Sequence, residues 1–202
     1  MKISHRELEE CRRSPRAWWQ GRQSASGFRS FGYGQALLNA IHRYHRANSA
    51  RAARSHLRQM IDRNFTNDRR IEELEADFES YIRWHRRSGI IVADSNIRLS
   101  YSIGAFLDLG GLISRLDITD AGYRAVILGA GRPNWSSELR MPLIQSAIAL
   151  KYGRPVEEVA VGVQEPNGRA LEEEIYTSAQ IAGARQEFQR LGEGIRRLGP
   201  IP

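Results

Sequence analysis

The spacing of apolar residues changes near residue 89 and divides the chain into a helical first part and a strand-rich second part. In the first part apolar positions recur every three or four residues, as on one face of a helix. Four helices are predicted there, over residues 5–20, 35–46, 49–64 and 68–87. Ser4 and Glu7 have the spacing of a capping box before the first helix. The Gly- and Ser-rich segment 21–33 predicts a loop after it.

Beyond residue 89 apolar and polar residues alternate, which is typical of half-buried strands. After a short apolar run at 89–93, strands are predicted over residues 96–103, 105–109, 112–118, 123–128 and 156–163, with a helix over residues 138–151. Asp120, Ala121 and Gly122 have the composition of a hairpin turn. Residues 171–198 predict a long polar helix, because an acidic start and a basic end suit the helix dipole.

This order of elements predicts an α/β (α+β) fold, in which a mixed central sheet is flanked by helices and the N-terminal half is helical. A length of 202 residues fits one domain with a sizeable core. We divide that domain into a basic helical part (1–88), a sheet-bearing core (89–165) and a C-terminal helix with its tail (166–202).

The composition bounds the class of protein. No run of about 18 apolar residues occurs, so a membrane-spanning helix is not expected. The first residues lack an apolar stretch of signal-peptide length. The only cysteine is Cys11, which excludes an internal disulfide and cannot by itself hold zinc or an iron–sulfur cluster. We therefore expect a cytoplasmic protein that does not act at a membrane.

The net charge of +7 is unevenly distributed. Residues 1–100 carry 19 Lys and Arg against 11 Asp and Glu, a net of +8, whereas residues 101–202 carry 11 against 12, a net of −1. All but two of the cations are arginines, whose planar fork matches phosphate oxygens. The alternative is an ordinary solvated face in an arginine-rich composition. We predict nucleic-acid contacts from the arginines of the first helices and the loop between them, namely Arg12, Arg13, Arg16, Arg22, Arg29, Arg43 and Arg46.

Aromatic residues lie among these arginines. Trp18, Trp19 and Tyr33 could stack on bases, as aromatic side chains do in many proteins that bind single strands. The two tryptophans could equally pack into the core, which is the more common fate of tryptophan near a helix end.

The order of motifs resembles that of a known nuclease group. The motif segments are Ile3–Trp18, Gly34–Leu38, Ser114–Asp117, Val126–Arg132 and Arg140–Ile144. In this order and spacing they resemble the RecB-type branch of the PD-(D/E)XK nuclease superfamily, over roughly Ile3 to Val163. The resemblance implies a restriction-endonuclease-like core and a site for metal-dependent DNA cleavage.

Most of the chemistry expected from that resemblance is missing. The residues at the positions of the family's histidine, acid, lysine, glutamine and tyrosine are Leu38, Leu128, Ala130, Arg140 and Ile144. Asp117 is the one retained metal-type ligand, and it could instead cap the turn that follows its strand. Ser14 replaces the cysteine that several relatives use for an iron–sulfur cluster, so no cluster is implied. A site short of its second carboxylate holds Mg²⁺ poorly.

The sequence therefore predicts a catalytically degenerate nuclease fold that binds nucleic acid or serves as a scaffold beside a helicase or nuclease, in DNA repair or phage defence. No cofactor is expected. One alternative is an active Mg²⁺- or Mn²⁺-dependent DNase, with Asp117 joined by migrated residues such as Glu138 and Lys151, or by His42 in a shifted role. Another is a protein-interaction subunit that does not bind nucleic acid.

Overall fold

A computed structural model describes residues 1–24, 31–129, 133–168 and 170–199. The helices in those ranges are α1 (Leu8–Arg13), α2 (Pro15–Ser24), α3 (Tyr33–Ala47), α4 (Ala50–Asn64), α5 (Asp68–Ser88), α6 (Arg140–Tyr152) and α7 (Ser178–Arg196). The strands are β1 (Lys2–Ser4), β2 (Ile91–Ser102), β3 (Asp108–Thr119), β4 (Gly122–Leu128), β5 (Val159–Gln164) and β6 (Glu172–Glu174). Short 3-10 turns cover Trp135–Ser137 and Val156–Glu158.

The strands form one mixed sheet built around β3. Strand β2 runs antiparallel along one side of β3, while β1 and β4 follow each other along its other side. Helix α6 crosses over between β4 and β5, which are parallel, and the short β6 pairs antiparallel with β5. The prediction of a mixed central sheet flanked by helices, with a helical N-terminal half, is confirmed.

Each face of the sheet covers its own apolar cluster. Successive residues of a strand point to opposite faces, and β4 follows this rule: Ala125 and Ile127 belong to one cluster, Val126 and Leu128 to the other. The first cluster includes side chains of α1, α2, α6 and α7. The second includes those of α3, α4 and α5. The helices therefore form two layers, one on each side of the sheet.

The N-terminal segment differs from the single helix predicted over residues 5–20. Lys2–Ser4 pairs with β3, and the helical segment is broken in two at Ser14. Pro15 causes the break, because proline lacks a backbone N–H and moves the preceding residue out of the helical conformation. Half of the predicted capping box forms: the Glu7 carboxylate accepts from the Ser4 amide at 3.3 Å. Ser4 nevertheless ends a strand, and its hydroxyl accepts from the Arg6 amide at 3.3 Å, not from the Glu7 amide.

Two pairs of predicted segments each form one long strand. Residues 89–93 and 96–103 contribute to β2, which has a register shift between Val92 and Asp94. Asp108 and Leu109, the end of predicted segment 105–109, join 112–118 in β3 across Gly110 and Gly111, whereas residues 105–107 precede the strand. Lys2 and His5 lie over these glycines so closely that a Cβ atom at either position would collide with them. Glycine in a strand here marks close packing and not a break.

The predicted helix over 171–198 begins later than expected. Glu172–Glu174 form β6 at the sheet edge instead of an acidic helix start. Helix α7 starts after Thr177, whose hydroxyl accepts from the Gln180 amide while the Gln180 side chain accepts from the Thr177 amide. This capping box satisfies two backbone donors that a helix start leaves free. Within the described ranges, none of the helices is both long and apolar enough to cross a membrane.

Candidate functional site

Asp117, the predicted metal ligand, lies in a buried ion pair. Arg115 and Asp117 are two residues apart on β3, so their side chains share one face of the sheet. Arg115 donates from Nε to Oδ1 at 2.5 Å and from Nη2 to Oδ2 at 3.0 Å. Both side chains are fully shielded from solvent. Each carboxylate oxygen is therefore already bound by a guanidinium, in the bidentate geometry that gives the strongest pairs of this kind.

The ion pair is one end of a longer polar network under α3 and α5. Arg115 Nη1 donates to the Tyr81 hydroxyl at 2.7 Å, and that hydroxyl lies 2.7 Å from His45 Nε2. Tyr81 accepts from Arg115, so its own proton remains available for donation to His45 Nε2 when that nitrogen is unprotonated. The guanidinium also faces the ring of Trp84, with Cζ 5.0 Å from the ring centroid. Arg124 Nη1 lies 3.8 Å from Asp117 Oδ2 on the other side.

Burial sets the protonation states in this network. Burial raises the pKa of Tyr81 to about 12, despite the opposing effect of Arg115. Burial, followed by the charges of His85 and Arg115, lowers the pKa of His45 to about 3. His45 is therefore neutral at physiological pH, and its Nε2 accepts from Tyr81 in the tautomer that carries the proton on Nδ1. Burial alone would lower the pKa of Arg115, but Tyr81 and Asp117 raise it above its ordinary value.

The surroundings of Asp117 do not fit a divalent metal. Leu38 and Leu128, at the positions of the family's histidine and acid, are both buried in the apolar cluster under α3, α4 and α5. Ala130 and Arg132 lie outside the described residues. Across the described ranges, no group of three His, Cys, Asp or Glu side chains is placed to hold a metal ion. A hard cation needs several oxygen ligands, and here both oxygens of the Asp117 carboxylate are bound to Arg115.

The other candidate catalytic residues do not converge on Asp117. Glu138 is buried just before α6 and accepts from Arg140 Nε at 2.5 Å. Lys151 is exposed in the last turn of the same helix. Since α6 rises 1.5 Å per residue, about 16 Å of helix separates Arg140 from Lys151. Glu138 and Lys151 are therefore at opposite ends of α6.

The predicted arginine surface is divided between the two helical layers. Arg12, Arg13, Arg16 and Arg22 lie on α1 and α2, whereas Arg43 and Arg46 lie on α3, on the opposite face of the sheet. Arg29 lies outside the described residues.

Ion pairs occupy part of the first set of arginines. Arg12 binds Glu187 of α7 through two hydrogen bonds, of 2.6 and 3.3 Å. Arg22 lies 3.9 Å from a carboxylate oxygen of Glu7. The guanidinium of Arg22 also faces the ring of Trp18, at 5.2 Å from its centroid. Arg12 and Arg22 are thus partly committed to contacts within the protein.

Arg43 and Arg46 line a recess in the surface of the described residues. We call it the arginine groove: a cavity of about 640 Å³ between α3, α4 and the irregular start of β2, lined by Asn39, His42, Arg43, His45, Arg46, His56 and residues 92–96. Both arginines are exposed, and neither forms an ion pair with any residue in the described ranges. A second recess of about 310 Å³ shares Arg43 and His56 and extends along α4 to Gln59.

The groove contains one acidic side chain, Asp94, which is already engaged. Tyr152 donates to Asp94 Oδ2 at 2.8 Å, and the Ser95 amide donates to Oδ1 at 2.7 Å. Burial, and then the charge of Arg6, lowers the pKa of His42 to about 4. His42 therefore contributes a neutral ring to the groove, and the positive charge comes from Arg43 and Arg46. The groove is best suited to anionic oxygen ligands such as phosphates.

Sequence reasoning missed His56 and the β2 wall of this groove. Arg43 and Arg46 are three residues apart, a spacing that places them on one helix face. Helical spacing within α4 could likewise have shown where His56 points. Nothing in the local sequence indicates that α4 and the start of β2 lie beside that face.

The aromatic candidates have separate environments. Trp18 and Trp19 are 6% and 5% exposed and belong to the cluster under α1, α2, α6 and α7, so core packing describes them. Tyr33 is half-buried at the start of α3, where its ring stacks on Phe65 with the centroids 4.0 Å apart. Only Tyr33 of the three is near the protein surface.

Comparisons with known proteins do not identify a family. No protein-family model matches the chain, and no curated protein matches it. The crystal structure of the protein SSO0001 aligns with 91% of this chain and 84% of that chain, at 10% sequence identity and a TM-score of 0.36. A likeness of that size carries no argument about fold or function.

Proposed function

We propose that the protein binds nucleic acid in the arginine groove and does not cleave it, as a catalytically degenerate nuclease-like protein of the RecB type. The observation that carries the proposal is a contrast between two sites. Arg43 and Arg46 are exposed and without an ion-pair partner in the described part of the chain. Asp117, by contrast, is sealed in the core by Arg115.

The charge distribution supports this location. Residues 31–64, which include α3 and α4, carry six arginines and one aspartate, a net of +5. Residues 68–88 of α5 carry five arginines and six acids, a net of −1. Positive potential is therefore concentrated on the two helices that border the groove. Such a potential attracts phosphates and raises the rate of association with nucleic acid.

The state of Asp117 supports binding without cleavage. Metal-dependent hydrolysis needs a bound cation that activates a water molecule. To reach Asp117, a metal would have to displace Arg115 from both carboxylate oxygens and enter a site fully shielded from solvent. A role beside an active helicase or nuclease in DNA repair or phage defence is part of the proposal and is based on the resemblance alone.

The test combines two assays on the full chain. Labelled single- and double-stranded DNA is incubated with the protein and Mg²⁺ or Mn²⁺, and binding is measured by gel shift at low and high salt. We expect salt-sensitive binding with intact DNA. Cleavage that Asp117→Asn abolishes, in a variant shown to be folded by circular dichroism, would overturn the proposal and support an active DNase. If the protein neither binds nor cleaves DNA, the proposal is also overturned, and a protein-interaction subunit is supported.

A further inference from the structure

A row of aromatic rings lies at the end of the α3–α4 pair away from the connecting turn. Tyr33 and Phe65 stack at 4.0 Å between centroids with 23° between planes, and Phe31 and Phe65 stack at 6.1 Å with 26°. The guanidinium of Arg70 lies over the Tyr33 ring, 5.1 Å from its centroid. We call Tyr33, Phe65 and Phe31 the aromatic row. Phe31 ends the row and is 36% exposed, so part of its ring is open to solvent.

The aromatic row and the arginine groove belong to the same two helices. Helices α3 and α4 run antiparallel, since Tyr33 meets Phe65 and the Asn39 amide lies 4.0 Å from Met60 Sδ. Ten residues of α3 separate Tyr33 from Arg43, which corresponds to about 15 Å along the helix. The second recess, which shares Arg43 with the groove, extends along α4 to Gln59 and so leads toward Phe65. The groove and the aromatic row therefore lie along one pair of helices.

We infer that the ligand of the arginine groove is a single-stranded nucleic acid, whose phosphates contact Arg43 and Arg46 while an unpaired base stacks on Phe31. This inference rests on the proposed function and specifies its ligand. A partly exposed ring on the same pair of helices as a positively charged groove is the combination that single-stranded nucleic acid requires, because every base has an aromatic face and every nucleotide a phosphate. In a duplex the bases are already stacked on one another and cannot cover Phe31.

The experiment compares Phe31→Ala with Phe31→Tyr, which retains the ring. Fluorescence anisotropy measures the affinity of each for a labelled single-stranded DNA, for its duplex, and for an oligonucleotide of the same length with abasic sites. We expect Phe31→Ala to weaken single-strand binding by about 5- to 150-fold, the range typical of one stacked base. We expect Phe31→Tyr to bind the single strand as the wild type does. Binding of the duplex and of the abasic strand should be unchanged by either substitution.

Failure of this inference is distinguishable from failure of the proposed function. If wild type binds single strand and duplex equally and Phe31→Ala changes neither, the inference is wrong while binding in the groove stands. An equal loss on the normal and abasic strands would also refute base stacking. If the wild type shows no salt-sensitive binding to any of the three oligonucleotides, the proposed function itself is refuted. Ile175→Ala, at another exposed apolar residue, serves as the control and should leave all three affinities unchanged.

Discussion

Arg115 donates two hydrogen bonds to Asp117 across one pleat of β3, and neither side chain is accessible to solvent. Loss of one partner would leave the other charge buried and unpaired, which typically costs about 3–5 kcal/mol. We therefore predict that Asp117→Asn lowers the free energy of unfolding by an amount in this range. Urea denaturation measures it, with Asp120→Asn in the exposed hairpin turn as the control. A change below about 0.5 kcal/mol, typical of surface substitutions, would contradict the prediction.

Removal of both charges tests the same pair in another way. A buried ion pair can often be replaced by apolar residues of similar volume at little cost, because the penalty of desolvating the charges disappears as well. The double variant Arg115→Met, Asp117→Leu should therefore be less destabilised than the two single variants added together. Tyr81 loses its donor in the double variant, so full recovery is not expected. Additive losses would show that the two charges do not depend on each other.

Buried neutral histidines make the stability depend on pH. The pKa of His45 is lowered by burial to about 3, and burial also lowers the pKa values of His5 and His42, to about 4. In the unfolded chain a histidine titrates near 6.5. Between these values the unfolded state binds protons that the folded state does not, so stability is complete above about pH 6.5 and declines as the pH falls toward 4. Each such histidine contributes a slope of up to about 1.4 kcal/mol per pH unit.

The measurement is urea unfolding at several pH values between 7 and 4. His45→Gln retains a side-chain acceptor for the Tyr81 hydroxyl but cannot be protonated in this range. We expect a smaller pH slope for this variant than for the wild type. Equal slopes would mean that His45 is not neutral in the folded protein.

Gly122 shows where the backbone, and not a side chain, limits substitution. Its φ angle is +140°, and a Cβ atom there would meet the backbone carbonyl of Glu158. We predict that Gly122→Ala destabilises the protein by more than about 1 kcal/mol, because both strain and collision oppose it. Gly183→Ala is the matched control, since it lies within α7 with no atom near its Cβ position and should stabilise by about 0.5–1 kcal/mol. Thermal unfolding measures the melting temperature of both variants. Equal changes for Gly122→Ala and Gly183→Ala would contradict the assignment of strain to Gly122.

Local signals in the sequence predicted the elements that depend on local interactions. Ser49 and Asn67 cap the starts of α4 and α5, and their side chains accept from backbone amides three residues later. The predicted bounds of both helices lie within two residues of the observed ones. The turn at Asp120 and Ala121 also occurs as predicted. Pro15 lies inside the segment predicted as one helix over residues 5–20, and it separates α1 from α2 there.

Contacts between distant segments account for what the sequence could not predict. Glu172–Glu174 have a helical composition, yet they form a strand because β5 offers an unpaired edge. Arg12 was predicted to bind phosphate, and it pairs with Glu187, which lies 175 positions further along the chain. Because side chains alternate between the two faces of a strand, the sequence places Arg115 beside Asp117 on β3. Their burial depends on the packing of α5 over both side chains, which the sequence does not reveal. Whether these residues form a strand, pair with another charge or become buried therefore depends on distant neighbours that local patterns do not reveal.

Arg43 and Arg46 provide a direct test of the groove through the salt dependence of binding. Each arginine that contacts a phosphate releases condensed counterions, so affinity decreases as salt is added. Removal of one such contact reduces the magnitude of the slope of log affinity against log salt by about 1. The double variant Arg43→Gln, Arg46→Gln should therefore bind DNA more weakly at low salt, with a slope smaller by about 2. Arg12→Gln is the control, because it also removes one positive charge. Arg12 is held by Glu187 in the other helical layer, so the slope for this variant should match that of the wild type. Anisotropy titrations at four or more salt concentrations give the slopes.

If Arg12→Gln reduced the slope while the double variant did not, the nucleic acid would lie on the α1–α2 side of the sheet and the groove would not be its site.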